Sequence, residues 1–228
     1  MTAPKSAKAI APAAIAPAPQ SLSDRVYAQL EEMLVTLQIQ PGHVLSEAEL
    51  CAQLQVSRTP VGEALQRLAR EGLVHVLPRR GIVVTEVNPL EHLKLLEVRR
   101  EIARYSSRSA ARRSRPPQKQ AMADIAQKLL AAAQADDGQA LLQADKEFHD
   151  LFSHCIHNEY ASRSLDALDA LSRRFYFLHH ALDDVHKSAK LHADIALAIA
   201  EGNTTAAEQA SDALFDHLEA FTRATMDL

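Results

Sequence analysis

Helical periodicity runs through most of the chain and is interrupted once, by two β-rich runs lying close together. Leu73-Val74-His75-Val76-Leu77 and Ile82-Val83-Val84-Thr85-Glu86-Val87 flank Pro78-Arg79-Arg80-Gly81, a pattern that predicts a hairpin with a tight, cationic turn. Upstream, Val26, Leu30, Met33, Leu34 and Leu37 recur at helical spacing over 21–38, with Ser23 as the expected cap and Pro41-Gly42 as the closing turn. Ser46-Glu-Ala-Glu49 has a capping-box pattern and opens a short helix that turns Leu50 and Leu54 inward. Ser57-Arg58-Thr59-Pro60 opens the next helix, which buries Val61, Leu65 and Leu68 and ends at Gly72. Three helices followed by a hairpin describe a winged helix-turn-helix, and their order is more specific than any one piece.

After Asn88-Pro89 the pattern is helical to the end of the chain. Leu93, Leu96, Ile102 and Tyr105 begin a long helix that stops before Pro116-Pro117. Further helices are expected over roughly 117–135, 139–157, 159–182, 184–201 and 204–226, with Gly138, Asn158 and Gly202-Asn203 as breaks. The expected fold class is therefore mainly α. A winged helix-turn-helix occupies 21–87, an all-α helical bundle occupies 88–228, and a hinge lies near residue 88. Residues 1–20 read as a disordered Ala/Pro-rich tail, because Pro12, Pro17 and Pro19 interrupt what would otherwise resemble a secretion signal. Only 6 Gly and no Trp argue against an all-β sandwich. Cys51 and Cys155 are too few for a disulfide framework, and no apolar run approaches the roughly 20 residues that span a bilayer. A cytoplasmic protein with no membrane partner is expected.

The net charge of -4 gives no global signal for nucleic acid. Residues 21–87 hold 6 Arg and Lys against 8 Asp and Glu, so any grip on DNA must come from a focused cluster and weaken with salt. The helix beginning at Ser57-Arg58-Thr59 offers free N–H groups and a positive dipole end to phosphate. Arg58 can reach a guanine edge bidentately, while the Ser57 and Thr59 hydroxyls can hold the DNA backbone. Arg79 and Arg80 suit a minor-groove edge or flanking phosphates, and Gly81 permits close approach. Arg67 reads equally well as an ion pair with Glu63 or Glu71.

The stretch PGHVLSEAELCAQLQVSRTPVGEALQRLAREGLVHVLPRRGIVVTEV resembles the winged-helix domain of GntR-type bacterial transcription regulators. The resemblance implies a double-stranded DNA operator as partner. The candidate DNA-facing set is Ser46, Glu47, Ser57, Arg58, Thr59, Arg67, Arg79, Arg80 and Gly81. Where the family commonly has a further Arg, this chain has Gly62. The helical part resembles the FadR-type branch of that family, with its FCD effector-binding domain. The matching pieces are Asp145-Lys-Glu-Phe-His149, His157-Asn-Glu159, Leu191-His192 with Ala198-Ile199, and Ala210, Leu214 and His217-Leu218.

That second resemblance implies a divalent metal held by Asp145, His149, His192 and His217, with positions left open to an effector's carboxylate. One Asp and three neutral His suit Zn²⁺ first, with Ni²⁺ or Mn²⁺ as further options, over Ca²⁺ or Mg²⁺. The family's last two His usually stand twenty-two residues apart, whereas His192 and His217 stand twenty-five apart. An extra turn at the start of the last helix would keep His217 in place; a three-ligand site and a metal-free pair of buried histidines are the alternatives. Arg99 matches an Arg that in the family points into the effector pocket, and Arg174 is a second candidate there, suited to a carboxylate fork. Arg100, Arg104, Arg108 and Arg112, at i+4 steps, read first as a solvated stripe and second as a basic shoulder near DNA or a dimer contact.

The expected function is a ligand-responsive transcription regulator and not an enzyme. It would act as a repressor, bind a pseudo-palindromic operator as a homodimer, and respond to a small organic acid. Two alternatives remain at this level. One is a metal-dependent hydrolase on the bundle, whose nearest base, Glu147, lies on the side of its helix opposite Asp145 and His149. The other is a regulator that binds its ligand without metal.

Overall fold

The computed structural model describes residues 21–77, 81–179 and 185–226; the expected tail over 1–20 lies outside them. The chain begins with α1 (Leu22–Val35), a two-residue strand β1 (Val44–Leu45), α2 (Glu47–Leu54) and α3 (Arg58–Arg70). The wing strands β2 (Val74–Leu77) and β3 (Gly81–Val84) follow. All pairing is antiparallel, in the order β1-β3-β2, with Val74 opposite Val84 and Leu45 opposite Ile82. The sequence reading has no counterpart of β1, since two residues cannot show a period.

Local chemistry sets the ends of these elements. Ser21, and not Ser23, caps α1: its hydroxyl accepts from Asp24 N at 3.1 Å, and the Asp24 carboxylate accepts from Ser21 N at 3.2 Å. Ser23 bonds Glu63 of α3. Ser46 caps α2 by accepting from Glu49 N at 3.4 Å. Gly72, with φ of +81°, lets the chain turn out of α3 into the wing. Leu30, Leu34, Val61, Leu65, Leu68, Leu73 and Val84 form the core of this head.

The second domain consists of α4 (Pro89–Arg113), α5 (Pro116–Gln134), α6 (Gly138–Cys155), α7 (Glu159–His179), α8 (Val185–Glu201) and α9 (Thr204–Ala224). Asn88 caps α4, accepting from Leu90 N at 2.8 Å, with Pro89 at the first helical position. Gly138, expected as a break, is the first residue of α6, because Asp137 takes the cap and accepts from Ala140 N at 3.0 Å. The core here gathers Leu96, Met122, Leu129, Phe148, Ile199 and Phe215. No helix among the described residues is long and apolar enough to cross a membrane.

The arginine stripe of α4 is not simply solvated. Arg100 lies 2.7 Å from Asp216 and 3.1 Å from Glu219, Arg104 bonds Asp212, and Arg108 bonds Glu208. The acids of α9 repeat on the same helical step as the arginines of α4, so packing these two helices zips one stripe onto the other. Arg112 is exposed.

The helix α7 belongs to both domains. Leu165 packs into the helical core, whereas Ala170 is buried in the core of the head. Arg173 reaches Glu32 of α1 at 3.5 Å.

Candidate functional site

The outer face of α3 is accessible. Ser57, Arg58, Thr59, Glu63, Gln66 and Arg70 are exposed. Among the described residues Arg58 has no ion pair or hydrogen bond from its side chain, and Ser57 begins the helix without a side-chain cap bond. The helix start thus keeps its donors free for an incoming anion. Glu47 and Gly81 are exposed and Ser46 is half-buried; Arg79 and Arg80 lie outside the described residues.

Arg67 is engaged within the head. Its guanidinium lies 3.5 Å from the centre of the Tyr27 ring, and its Nε donates to Glu71 at 3.1 Å. The Tyr27 hydroxyl donates to the same carboxylate at 2.7 Å. Burial, and then the acids around it, push the Tyr27 phenol well above its ordinary range, so it stays a neutral donor. Of the two readings of Arg67, the ion pair with Glu71 is the one the fold adopts, and the side chain anchors α1 to α3.

Gly62 leaves a hollow on the exposed face between Arg58, Thr59, Gln66 and Arg70. A Cβ built at this position meets nothing within 4 Å, and the backbone is ordinary helix. Gly62→Ala is therefore expected to stabilise the chain by about 0.5–1 kcal/mol, the helix-interior cost of glycine. A shift of the urea midpoint at unchanged slope would register it.

Behind the head, α4, α6, α7 and α8, with Leu129 of α5 and Leu218 and Phe221 of α9, enclose a cavity of about 340 Å³. On its wall, Asp145, His149 and His192 each place one ligand atom within 4.8 Å of the others. The first two stand one turn apart on α6, and His192 comes from α8. The Nε2 atoms of His149 and His192 lie 3.7 Å and 3.8 Å from Asp145 Oδ1. His192 Nδ1 donates to Ser188 O at 2.9 Å. This bond puts the proton on Nδ1 and leaves the Nε2 lone pair facing Asp145, the orientation a metal-binding imidazole needs. Burial holds the His192 ring below the ordinary histidine range, which favours the neutral form. The donor set therefore fits a divalent transition metal.

His217 falls outside this group. It is buried on α9, and Leu214, at the twenty-two-residue spacing from His192, is a buried core side chain. The helix runs unbroken from its Asn203 cap, and His217 is not among the three side chains whose ligand atoms lie within 4.8 Å of one another. Glu147 accepts from Lys128 Nζ at 2.7 Å and does not line the cavity, so it is not placed to serve as the base of the hydrolase reading.

Arg99 lies inside the cavity wall, 7% exposed. Its guanidinium pairs with Asp169 and donates from Nη1 to Ser172 Oγ at 3.0 Å. Burial works against the Asp169 charge, but His149, Arg99 and Arg173 outweigh it and hold the carboxyl below its ordinary range. Asp169 Oδ2 also lies 3.8 Å from His149 Nδ1, which connects Arg99 to the Asp145, His149 and His192 group.

A directed relay leads away from Arg99. Because Ser172 Oγ accepts from the guanidinium, its own proton goes to His92 Nε2 at 3.0 Å. His92 Nδ1 then donates to Thr222 Oγ1 at 3.0 Å, and the Thr222 hydroxyl donates to Leu218 O at 2.7 Å. Burial, and then the nearby Arg99 charge, push His92 down to about 3, so the ring is neutral with one tautomer fixed. It stacks on Phe175 at 3.9 Å and 12°. Asp169, Ser172 and His92 are site residues that the sequence reading missed. The available signal was the i, i+3 polar pair on α7, which becomes informative only once that face is known to be buried against α4.

Arg174, expected in this cavity, lies on the other side of α7. Its Nη2 donates to Thr85 Oγ1 at 2.7 Å and its Nη1 to Leu73 O at 3.3 Å, both in the head. Two residues beyond Ser172 turn a side chain by about 200° around a helix, which takes Arg174 out of the cavity.

Residues 22–84 match the gntR family of bacterial regulatory proteins, and residues 94–219 match the FCD domain. A Streptomyces ambofaciens protein, an uncharacterized HTH-type transcriptional regulator in an unstable DNA locus, is 52% identical over 64 residues, which span 28% of this chain and only 27% of that protein. The HTH-type transcriptional repressor RspR of Escherichia coli K12 is 28% identical over 197 residues, 84% of each chain. The solved structure of E. coli McbR/YncC shares the fold, with a TM-score of 0.77 at 19% identity over 91% of this chain and 100% of that one. With both modules matched in order, and the FCD match alone spanning more than half of the sequence, the chain belongs to the GntR family of DNA-binding transcription regulators, in the branch carrying an FCD domain, and is a regulator and not an enzyme.

Proposed function

We propose that this chain is a ligand-responsive repressor that binds a pseudo-palindromic operator as a homodimer and senses a small organic acid in its helical domain. The head over 21–87 carries the DNA contacts, and the domain over 88–228 carries the effector site and the dimer contact. Asp145, His149 and His192 would hold a divalent metal, with Zn²⁺ favoured by a set of one carboxylate and two neutral imidazoles. When bound, such an ion supplies a Lewis-acid centre for an effector carboxylate. The repressor outcome is supported by the name of RspR, the relative matched over 84% of its length.

The observation that carries this reading is the position of Arg99 beside the Asp145, His149 and His192 group in one cavity. A buried guanidinium is an effective fork for a carboxylate, and the remaining wall is largely apolar, with Phe175, Phe221, Leu141 and Val185. A cavity of about 340 Å³ is at the small end of ligand sites, so the effector class is a compact acid with a short apolar body. Asp169 neutralises Arg99; an incoming carboxylate would take over part of that role and so rearrange α4 against α7.

Native mass spectrometry of the purified chain, paired with elemental analysis, tests the reading. The expected result is a dimer carrying one transition-metal ion per chain. A metal-free dimer whose operator binding responds to acids after chelation would favour the metal-independent regulator.

A further inference from the structure

We propose that α7 is the transmission element between the cavity and the DNA-reading head, with Arg174 as its positioning residue; this rests on the effector cavity proposed above. On one side of α7, Asp169 and Ser172 hold Arg99 and, through it, the cavity wall. On the other side, Arg174 is 3% exposed and grips two points of the head. These points are not equivalent to ordinary surface contacts. Leu73 is the residue that joins α3 to β2, and its own N–H donates to Leu68 O of α3 at 3.0 Å. Thr85 immediately follows β3 and donates from Oγ1 to Gly72 O at 2.8 Å. Arg174 therefore grips the two residues that flank the wing strands, Leu73 before β2 and Thr85 after β3, and the first of these is bonded back to α3.

The composition of this latch argues against a purely stabilising role. Among the described residues no carboxylate pairs with Arg174, its Nε has no hydrogen-bond partner, and burial pulls the guanidinium down to about 10. Leu73 O already accepts from Thr85 N at 3.1 Å, and the single Thr85 hydroxyl proton is shared between Gly72 O at 2.8 Å and Leu73 O at 3.0 Å. The head's own groups would be satisfied without the arginine. A buried cation offset only by the Glu86 charge, which makes no ion pair with it among the described residues, is a costly way to fasten a satisfied turn. What Arg174 adds is a rigid connection from α7 to the root of the wing. The His92–Phe175 stack, which lines both the cavity and the cleft beneath the head, places the first turn of α4 in the same linkage. A ligand that draws Arg99 or Ser172 from its resting partners shifts α7, and Arg174 passes that shift to α3 and the wing.

The test is a double-mutant cycle on the full chain, read by native-state hydrogen exchange at the Leu73, Val84 and Thr85 amides. Ser172→Ala perturbs the cavity end of α7 without any ligand, and Arg174→Met removes the latch while leaving Leu73 O with its Thr85 N–H donor. The expected result is that Ser172→Ala alters exchange of these amides by about fivefold in the native background and by less than about twofold beside Arg174→Met. Arg174→Lys, which keeps one donor for Thr85, should restore part of the response. Equal responses in both backgrounds, or none in the native one, would overturn the proposal, since a merely stabilising Arg174 gives additive effects. Calorimetric titration with Zn²⁺ alone separates the two readings. Coupling with no Zn²⁺ binding keeps the lever and discards the metal, whereas Zn²⁺ binding with additive exchange effects discards the lever.

Discussion

Against a duplex selected from a random pool by the native chain, the Arg58→Ala protein is expected to bind about 5- to 150-fold more weakly while keeping its fold, the 1–3 kcal/mol of one bidentate base contact. The fold should survive because Arg58 is exposed and, among the described residues, its side chain holds nothing in place. The affinity should fall because the same side chain stands in the first turn of α3, where the unbonded Ser57 hydroxyl and the free N–H groups converge. Arg67→Ala provides the contrast. Its guanidinium is occupied by Tyr27 and Glu71, so its loss should appear in stability before it appears in affinity. Mobility-shift titrations at several salt concentrations distinguish the two kinds of contact. Relaxed sequence preference at a nearly constant salt slope assigns Arg58 to a base edge; uniform weakening, with the slope reduced by about one, assigns it to phosphate. Undiminished binding by Arg58→Ala would remove the start of α3 from the DNA interface.

How much of this was legible in the sequence depends on the distance over which each feature is determined. The winged helix-turn-helix was readable because its signals are local: a capping serine at Ser46, Pro60 just inside α3, Gly72 at its end, and the change of period at Leu73. The helical domain was readable as helices for the same reason, with boundaries displaced by a residue or two where Ser21 and Asp137 capped instead of their neighbours. What the sequence did not disclose was which helix faces meet. The stripe of Arg100, Arg104 and Arg108 and the acids of α9 are each ordinary surface patterns until α4 and α9 are packed together. Arg174 and Ser172 differ by two positions, so a small uncertainty in the rotation of α7 exchanges the cavity for the head. Asp145 and His149 share a helix face by spacing alone, but His192 joins them only through the crossing of α6 and α8, and spacing alone does not disclose that His217 stands apart from the three.

The consequence for the metal group is a second large effect. Zn²⁺ added to the chelator-treated chain at about 100 times its dissociation constant should stabilise the fold by about 2.7 kcal/mol, which raises the melting temperature by about 5–10 °C in a chain of this size. The argument is one of linkage: the unfolded chain has no preformed group, so the binding free energy adds to folding. Asp145→Ala and His192→Ala should each remove most of that increment, because a three-ligand group reduced to two loses its closure. His217→Ala should retain it, since the His217 ring lies outside the group that Asp145, His149 and His192 form. Arg99→Ala should also retain it and lose the additional stabilisation given by a monocarboxylate probe such as butyrate, because Arg99 lies beside the ion's position without belonging to the ligand set. A Zn²⁺ response that survives both Asp145→Ala and His192→Ala would place the metal elsewhere on the chain. A response lost in His217→Ala as well would mean that α9 moves one turn inward when the ion binds, and the site would then be four-coordinate by rearrangement and not by resting geometry.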